Sequence, residues 1–412
     1  MMFGHFRAGR RGVRKGTIRL AYLEDLNLKL QTLTIFRMLL RDEVLGLLSA
    51  LLTLSGKGMA ERLAAYADFA SGLFQEGENL TDCVWDKVVS DENLCVLRRA
   101  RGEAFGPELS ECLENELKVL QEVSQLSART VKDAIGYDGY LPEWKTRPAD
   151  FAADYERFLR SIGASGYGVF LKHHMFSVAD GWVAPVYCPD PVRLSDLKGY
   201  GRERKAVAQN TRALLEGKPA ANALLYGDAG TGKSSTIKAL VNEYAGEGLR
   251  LIEFRKNQLG EIPAVAERLR GNPLKFILFI DDLSFAEDSG EVGALKAILE
   301  GTASARTKNV VIYATSNRRH IVSERFSDRG DDEIHRNETI QGQISLSQRF
   351  GLAVSFFKPD RAQYLMIVRE LALQYGVDDL EELDLLAERY AIERGGRSPR
   401  VARQFVESLM RT

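Results

Sequence analysis

The stretch that decides the fold is Ala223–Val241, which reads ALLYGDAGTGKSSTIKALV. It opens with an apolar run, Ala223 to Tyr226, that is typical of a short buried parallel strand. A glycine-rich turn follows, and apolar residues after Lys233 recur at helical spacing. Strand, loop and helix in this order are the context in which G-x-x-x-x-G-K-[ST] forms a phosphate-binding loop, or P-loop. The alternative is a chance glycine loop, and the flanks on both sides favour the P-loop.

The residue types in this loop suit a phosphate chain. Glycines let backbone N–H groups approach phosphate oxygens without a Cβ in the way, and the helix N-terminus adds a partial positive charge. We expect Lys233 to reach the β- and γ-phosphates and Ser234 to place its hydroxyl on Mg²⁺. The predicted nucleotide-contacting residues of the loop are Gly227, Asp228, Ala229, Gly230, Thr231, Gly232, Lys233, Ser234 and Ser235.

Composition limits the classes to which this chain can belong. Its 412 residues suggest two or three domains, and a net charge of -1 gives no whole-chain reason to expect nucleic acid or an acidic membrane as partner. The 4 cysteines form no C-x-x-C pair, which favours reduced thiols over disulfides or a zinc site. No secretory signal is apparent, and the longest apolar run is about half a membrane-spanning helix. We therefore expect a cytoplasmic protein with no membrane segment.

The part of the chain before the P-loop is predicted to be mainly helical. Residues 18–135 carry apolar side chains at helical spacing and predict an all-helical N-terminal domain. Its leucine stripes fit a core better than a partner surface, and nothing in it indicates a ligand. Residues 1–17 are basic and are expected to form a disordered tail, with a nucleic-acid-binding arm as the alternative.

The rest of the chain predicts a connector, a sheet and a lid. Residues 136–190 are expected to form a connector with a β-hairpin that turns at Asp180-Gly181. Strands and helices alternate over 191–357, which predicts a doubly wound parallel α/β sheet. Residues 358–412 turn helical again and are expected to form a helical lid.

Two strands of this sheet are predicted to end in polar side chains. The apolar run Phe276–Ile280 ends in Asp281 and Asp282, and the next strand ends at Asn317. We expect Asp281 to hold Mg²⁺ and Asp282 to orient or polarise an attacking water. Asn317 would then hold that water against the γ-phosphate. The alternatives are that the acids cap a helix and that the asparagine caps a turn.

Two arginines could complete the site. Arg349 precedes the last strand, and Arg400 lies in the first turn of the last predicted helix. Either guanidinium could neutralise charge on the γ-phosphate, from the same or from a neighbouring subunit. An arginine in a first turn opposes the helix dipole, so Arg400 has a reason for its position other than helix stability. The alternative for each arginine is a surface salt bridge.

Taken together, these motifs resemble the motif set of the AAA+ ATPases. The resemblance pairs Gly227–Ser234 with Walker A, Ile280–Asp282 with Walker B, Ala314–Asn317 with sensor one, Ser347–Gly351 with the arginine finger and Ser398–Arg400 with sensor two. The segment Leu194–Tyr200, with Gly199 and Tyr200, resembles the one that lines the adenine pocket in that superfamily. From Gly168 to Thr412 the sequence is similar to a bacterial family of uncharacterised ATP-binding proteins, domain of unknown function 815.

Some features depart from the superfamily pattern. Asp282 stands where most members of the superfamily have glutamate. In this respect the chain resembles replication initiators and helicase loaders. The shorter side chain favours slow or partner-stimulated hydrolysis. Between Phe254 and Phe276 there is no pore loop of the kind carried by protein-threading unfoldases. That stretch also has no room for the extra helix of DNA-binding initiators. Both absences count against those two activities.

The resemblance implies a AAA+ ATPase that uses ATP and Mg²⁺ to remodel or load an unknown partner. It also implies a homo-oligomer whose neighbouring subunits complete one another's sites. A protein partner would bind through the N-terminal helical domain, and only the basic N-terminus points to nucleic acid. Two alternatives stay open. One is a slowly hydrolysing, ATP-gated scaffold or loader, and the other, less favoured, is a P-loop small-molecule kinase.

Overall fold

The structure is a computed structural model that describes residues 6–283, 285–286, 295, 298–299, 308–317, 322–323, 349–377 and 382–410. Side chains are described from residue 18 onward, except at 285–286 and 322–323. Residues 1–5 of the predicted tail, and Ser347 and Gln348 of the predicted arginine-finger segment, lie outside the described residues. The chain divides into two compact units, Met1–Leu171 and Lys172–Thr412.

The first unit is helical throughout its described residues. Its helices are α1 (Phe6–Gln31), a 3₁₀ turn (Arg37–Arg41), α2 (Glu43–Leu52), α3 (Met59–Glu76), α4 (Leu80–Ser90), α5 (Leu94–Ala100), α6 (Pro107–Ser124), α7 (Ala128–Ile135), α8 (Phe151–Ser165) and the single turn α9 (Val169–Lys172). Side-chain caps explain several of these starting points. Asp42, Asn79, Asn93, Ser127 and Asp150 each accept a hydrogen bond from a backbone N–H in the first turn that follows them.

Two boundaries of this unit differ from those expected from the sequence. Helix α1 begins at Phe6, inside the segment predicted to be disordered, where arginine and lysine favour helix extension. The core also continues past residue 135. Trp144 lies 5.0 Å from Phe69 between ring centroids, and Tyr155 of α8 is 1% exposed. Both residues belong to the same core as the earlier helices. The buried residues of α8 recur at helical spacing, whereas Trp144 lies in a stretch without a helical period.

The buried carboxylate of Glu116 stabilises the segment between α1 and the 3₁₀ turn. Glu116 of α6 is 5% exposed and accepts hydrogen bonds from the backbone N–H groups of Thr34 at 2.7 Å, Ile35 at 3.1 Å and Phe36 at 3.0 Å. It thereby pairs three backbone donors just before the 3₁₀ turn, of which that of Phe36 is buried and the other two are partly buried.

We expect Glu116→Ala to lower the free energy of unfolding by about 3 kcal/mol, because it leaves one buried and two partly buried N–H donors without a partner. Urea denaturation followed by tryptophan fluorescence measures this, and Glu114→Ala is the matched control. Glu114 lies on the same helix, is 61% exposed and pairs only with Lys118 among the described residues, an interaction worth less than about 1 kcal/mol. Equal effects of the two substitutions would contradict the prediction.

The second unit is built on a seven-stranded sheet. Its strands are β1 (Met175–Ala179), β2 (Trp182–Pro185), β3 (Ala223–Gly227), β4 (Leu249–Phe254), β5 (Lys275–Ile280), β7 (Val310–Ser316) and β9 (Leu352–Phe356), and the short strands β6 (Phe285–Ala286) and β8 (Val322–Ser323) pair separately. The order across the sheet is β2-β1-β4-β5-β7-β3-β9. All pairs in it are parallel except β1 with β2. The predicted hairpin is thus an extension of the sheet, because β1 pairs with β4.

Helices before, between and after the strands complete this unit. Among the described residues they are the 3₁₀ helices Leu194–Asp196, Ala245–Glu247 and Lys256–Glu261, then α10 (Gly201–Leu215), α11 (Lys233–Tyr244), α12 (Ile262–Leu269) and the lid helices α13 (Arg361–Gln374), α14 (Leu383–Glu393) and α15 (Pro399–Leu409). Asp360 and Ser398 cap the first and last lid helices. The predicted doubly wound parallel α/β sheet with a C-terminal helical lid, preceded by a helical N-terminal region, is confirmed. No helix among the described residues combines the length and the apolar character that crossing a membrane requires.

The strand order explains where a site can form. Strand β7 lies between β5 and β3, so the residues that follow these three parallel strands meet at one edge of the sheet. The P-loop follows β3, the paired acids follow β5, and Asn317 follows β7. Their convergence is therefore a consequence of topology.

Candidate functional site

The loop between β3 and α11 has a backbone that requires glycine. Gly227, Gly230 and Gly232 have φ values of 129°, 76° and 90°, in the region that side-chain-bearing residues rarely adopt. A Cβ at Gly227 would lie 2.2 Å from the carbonyl oxygen of Phe356. Thr231 Oγ1 closes the turn by donating to the carbonyl of Asp228 at 2.8 Å. The loop is therefore a cradle with backbone, not side chains, on its inner surface.

Lys233 lies across this cradle. It is 6% exposed, and its Nζ donates to the carbonyls of Gly227 at 3.1 Å and Asp228 at 2.7 Å and to Asn317 Oδ1 at 2.9 Å. Burial lowers the pKa of this ammonium, and the nearby carboxylates of Asp228 and Asp281 oppose the shift. All three acceptors are neutral oxygens, so a phosphate would be a stronger partner than any of them.

Asp281 lies beside the first residues of α11. Its Oδ1 accepts from Ser234 Oγ at 2.6 Å and from Thr315 Oγ1 at 2.5 Å. A hydroxyl and a carboxylate in contact are oxygen ligands of the type that Mg²⁺ prefers, so these residues fit that ion. Among the described residues no cluster of three or more His, Cys, Asp or Glu side chains is arranged for a metal. A cation here would thus take its remaining ligands from substrate and water, as Mg²⁺ commonly does.

Asp282 is held in a fixed position by the neighbouring strand. Its φ is 52°, and its N–H donates to Thr315 Oγ1 at 2.9 Å. Its Oδ1 accepts from Asn317 Nδ2 at 2.8 Å, while the other end of the same amide accepts from Lys233. Asn317 therefore bridges the P-loop lysine and the second acid.

Sequence reasoning missed Thr315, although a signal for it exists. Thr315 precedes Asn317 by two positions, the spacing that places two side chains on the same side of an extended chain. It is 1% exposed, and its carbonyl also accepts from the N–H of Leu283 at 2.6 Å. One threonine thus fixes both acids and the residue after them.

The lid contributes one of the two predicted arginines. The N–H of Arg400 donates to the carbonyl of Gly230 at 3.2 Å, so α15 begins directly on the P-loop. A Cβ at Gly230 would lie 3.2 Å from Ser398 Oγ. Arg400 lines the cavity described below, whereas Arg349 is not among the described residues that line it.

A cavity of about 370 Å³ connects these groups. It is bordered by the P-loop, the paired acids and Asn317, and also by Leu197, Ile367 and Leu371. Lys198, of the segment Leu194–Tyr200, also lines it. Sequence reasoning did not single out Arg204 or Arg403, which line it as well.

Several predicted contact residues support the cavity without lining it. Tyr200 is 5% exposed, stacks on Phe356 at 5.4 Å between ring centroids, and donates its hydroxyl to the carbonyl of Phe357. Burial raises its pKa to about 12, so the hydroxyl stays protonated. The other residues of this kind are Gly199, Gly227, Asp228 and Thr231, while Ala229, Gly230, Gly232, Ser234 and Ser235 do line the cavity.

Comparisons with known proteins agree with this geometry. A model of the family described as "Protein of unknown function (DUF815)" matches residues 171–412. The replication factor C large subunit of Staphylothermus marinus is 34% identical over 123 residues, which are 27% of this chain and 28% of that protein. The protein of the same name from Thermofilum pendens is 29% identical over 119 residues, again 27% and 28% of the two chains. The chain thus spans 28% of the length of these curated relatives.

Solved structures include a similar chain. The Thermotoga maritima RuvB Holliday junction branch migration motor aligns with a TM-score of 0.38 and 17% identity, over 54% of this chain and 65% of that one.

Proposed function

We propose that this chain, which belongs to the family described as protein of unknown function (DUF815) and to the AAA+ P-loop ATPases, binds Mg-ATP in the cavity and hydrolyses it. The observation that carries the proposal is the chain of contacts from Lys233 through Asn317 to Asp282. It places a cation, an amide and a carboxylate at the edge of the sheet beside a loop shaped for phosphates.

Phosphoryl transfer requires mostly positioning and charge neutralisation, and the residues divide this work. The N–H groups of the P-loop and of the first turn of α11 would bind the phosphates, with Lys233 exchanging its carbonyl partners for the β- and γ-phosphate oxygens. Mg²⁺, when bound by Ser234 and Asp281, would neutralise further phosphate charge. Asp282 and Asn317 would orient and polarise the attacking water.

The arginines have different proposed roles. Arg400 lines the cavity of its own chain and would contact the γ-phosphate there. Arg349 does not line that cavity within the described residues, and the resemblance of its segment to the arginine finger supports a role at the site of a neighbouring subunit. Both curated relatives are named as subunits, and this also supports an assembly of several chains. We propose a homo-oligomer in the cytoplasm.

The energy of hydrolysis would remodel or load a partner that binds the N-terminal helical unit. The short side chain of Asp282 favours the related alternative, a slowly hydrolysing switch that acts as an ATP-gated scaffold or loader. A small-molecule kinase is the weaker alternative, because the motifs of the chain resemble those of the AAA+ ATPases. Only the basic N-terminus supports nucleic acid as a partner of this protein.

The first test is steady-state ATP hydrolysis per subunit as a function of protein concentration, with Lys233→Ala as the blank. We expect the rate to rise and then level off, because sites assemble between subunits. Mixing Arg349→Ala with Asp282→Asn subunits should then restore part of the rate that each variant lacks alone. A low, flat rate with tight ATP binding would instead favour the scaffold, and phosphate transfer to an acceptor faster than to water would favour the kinase.

A further inference from the structure

A carboxylate lies within the loop that is shaped for phosphates. Asp228 follows Gly227 at the start of this loop, is half-buried and does not line the cavity. A carboxylate repels phosphate oxygens, and this one is close enough to Lys233 to act on the pKa of that ammonium. Electrostatics therefore oppose an aspartate at this position, so its contacts must explain its presence.

The contacts of Asp228 lead from the P-loop to the end of strand β9. Its Oδ2 accepts from the N–H of Lys358 at 2.7 Å, and its own N–H donates to the carbonyl of Phe356 at 2.9 Å. The carbonyl of Asp228 accepts from Lys233 Nζ at 2.7 Å and from Thr231 Oγ1 at 2.8 Å. One residue thus joins the lysine of the P-loop to a segment 130 residues further along the chain.

Residues 356–358, here called the lid linker, connect the sheet to the lid. Strand β9 ends at Phe356, and the first lid helix begins at Arg361. A second element holds the same linker, because the hydroxyl of Tyr200 donates to the carbonyl of Phe357 and its ring stacks on Phe356. The place from which the lid leaves the sheet is therefore fixed by side chains, with Asp228 supplying the contact from the P-loop.

The lid meets the P-loop at a second point. The N–H of Arg400 donates to the carbonyl of Gly230 at 3.2 Å, and α15, which carries Arg400, packs against α13. A body attached at one point can turn about it, whereas two attachments fix its direction. The contact between Asp228 and Lys358 is the shorter of the two and has a charged acceptor, which makes it the stronger one. Its loss would leave the lid free to turn about the weaker contact.

We propose that Asp228 is a positioning residue that directs Arg400 toward the γ-phosphate by holding the lid linker to the P-loop. It acts through the lid and not on the nucleotide, since its N–H already donates to Phe356. This inference rests on the proposed hydrolysis of ATP in the cavity and on the proposed role of Arg400 there. It predicts that loss of the acceptor at position 228 slows hydrolysis only while Arg400 is present.

The test separates the acceptor from its charge. Asp228→Ala and Asp228→Leu remove both, whereas Asp228→Asn removes the charge and keeps an oxygen that can accept from the N–H of Lys358. The matched control is Asp360→Ala, because Asp360 accepts from the N–H of Gln363 at 2.7 Å and caps α13 instead of binding the P-loop. Each substitution is made in the full chain, with Arg400 and with Arg400→Ala.

Single-turnover phosphate release at saturating Mg-ATP measures the rate of hydrolysis, and it keeps slow variants measurable. Thermal melting without ligand shows which variants are folded, and either Asp228→Ala or Asp228→Leu is sufficient for the test. We expect these two substitutions to slow hydrolysis about tenfold, because Arg400 is then misdirected. Asp228→Asn should slow it less than about threefold, and Asp360→Ala less than about twofold.

The double variants decide whether Asp228 acts through Arg400. In the Arg400→Ala background, every Asp228 substitution should change the rate by less than about twofold, because residues that act as a unit are not additive. Equal losses in both backgrounds would overturn the positioning role, and so would an unchanged rate in a folded Asp228→Ala or Asp228→Leu. Equal losses in Asp228→Asn and Asp228→Ala would overturn it as well. An unaltered protein that does not hydrolyse ATP would overturn the proposed function itself.

Discussion

Replacing Lys233 with methionine is expected to reduce ATP hydrolysis by about a thousandfold and to weaken ATP binding. Methionine keeps the length of the apolar stem and removes the charge. The ammonium now donates to two carbonyls of the P-loop and to Asn317, at 2.7 to 3.1 Å. No other lysine among the described residues lies against the P-loop backbone in this way, so no other lysine can replace its contact with the phosphates.

Phosphate release under saturating Mg-ATP measures the rate, and calorimetry measures binding. Lys238→Met is the matched control, because Lys238 lies on the same helix α11 and faces Glu253 at 3.8 Å instead of the P-loop. That variant should hydrolyse ATP within about twofold of the unaltered protein. If Lys233→Met hydrolyses ATP as fast as the unaltered protein, the P-loop lysine does not take part in catalysis, and the catalytic site must lie elsewhere in the chain.

Those parts of the site that follow a strand were predictable from the sequence. Apolar runs identify β3, β5 and β7, and in a parallel sheet the residues after each run meet at one edge. The P-loop glycines, Asp281 and Asn317 each lie directly after such a run, so local pattern and topology were sufficient to bring them together. The same reasoning predicted that a helical lid follows the sheet.

Other parts depended on tertiary packing that no local pattern reports. Arg204 falls in an ordinary helical stretch, and only the folded chain shows that its guanidinium turns back to the carbonyls of residues 197–199. Trp144 belongs to the helical core although the stretch 136–150 that contains it has no helical period. In both cases the deciding contact joins residues whose sequence separation carries no fixed geometry.

The second large effect is expected for Asp282→Asn, which should reduce ATP hydrolysis by about a hundredfold or more while ATP binding changes less than about twofold. Asparagine has the shape of aspartate and can still accept from Asn317 Nδ2, so only the charge of the water-polarising group is lost. The position of the residue should persist as well, because its backbone N–H is held by Thr315 Oγ1 at 2.9 Å.

A companion variant, Asp282→Glu, separates charge from reach. If the short carboxylate limits the rate, the longer side chain should raise turnover above that of the unaltered protein, since the backbone contact with Thr315 is unchanged. Both variants are measured by phosphate release and by ATP binding in the same buffer. A normal rate in Asp282→Asn would contradict the assignment of water activation to this carboxylate, and Asn317 would then be the remaining group in contact with both Lys233 and the second acid.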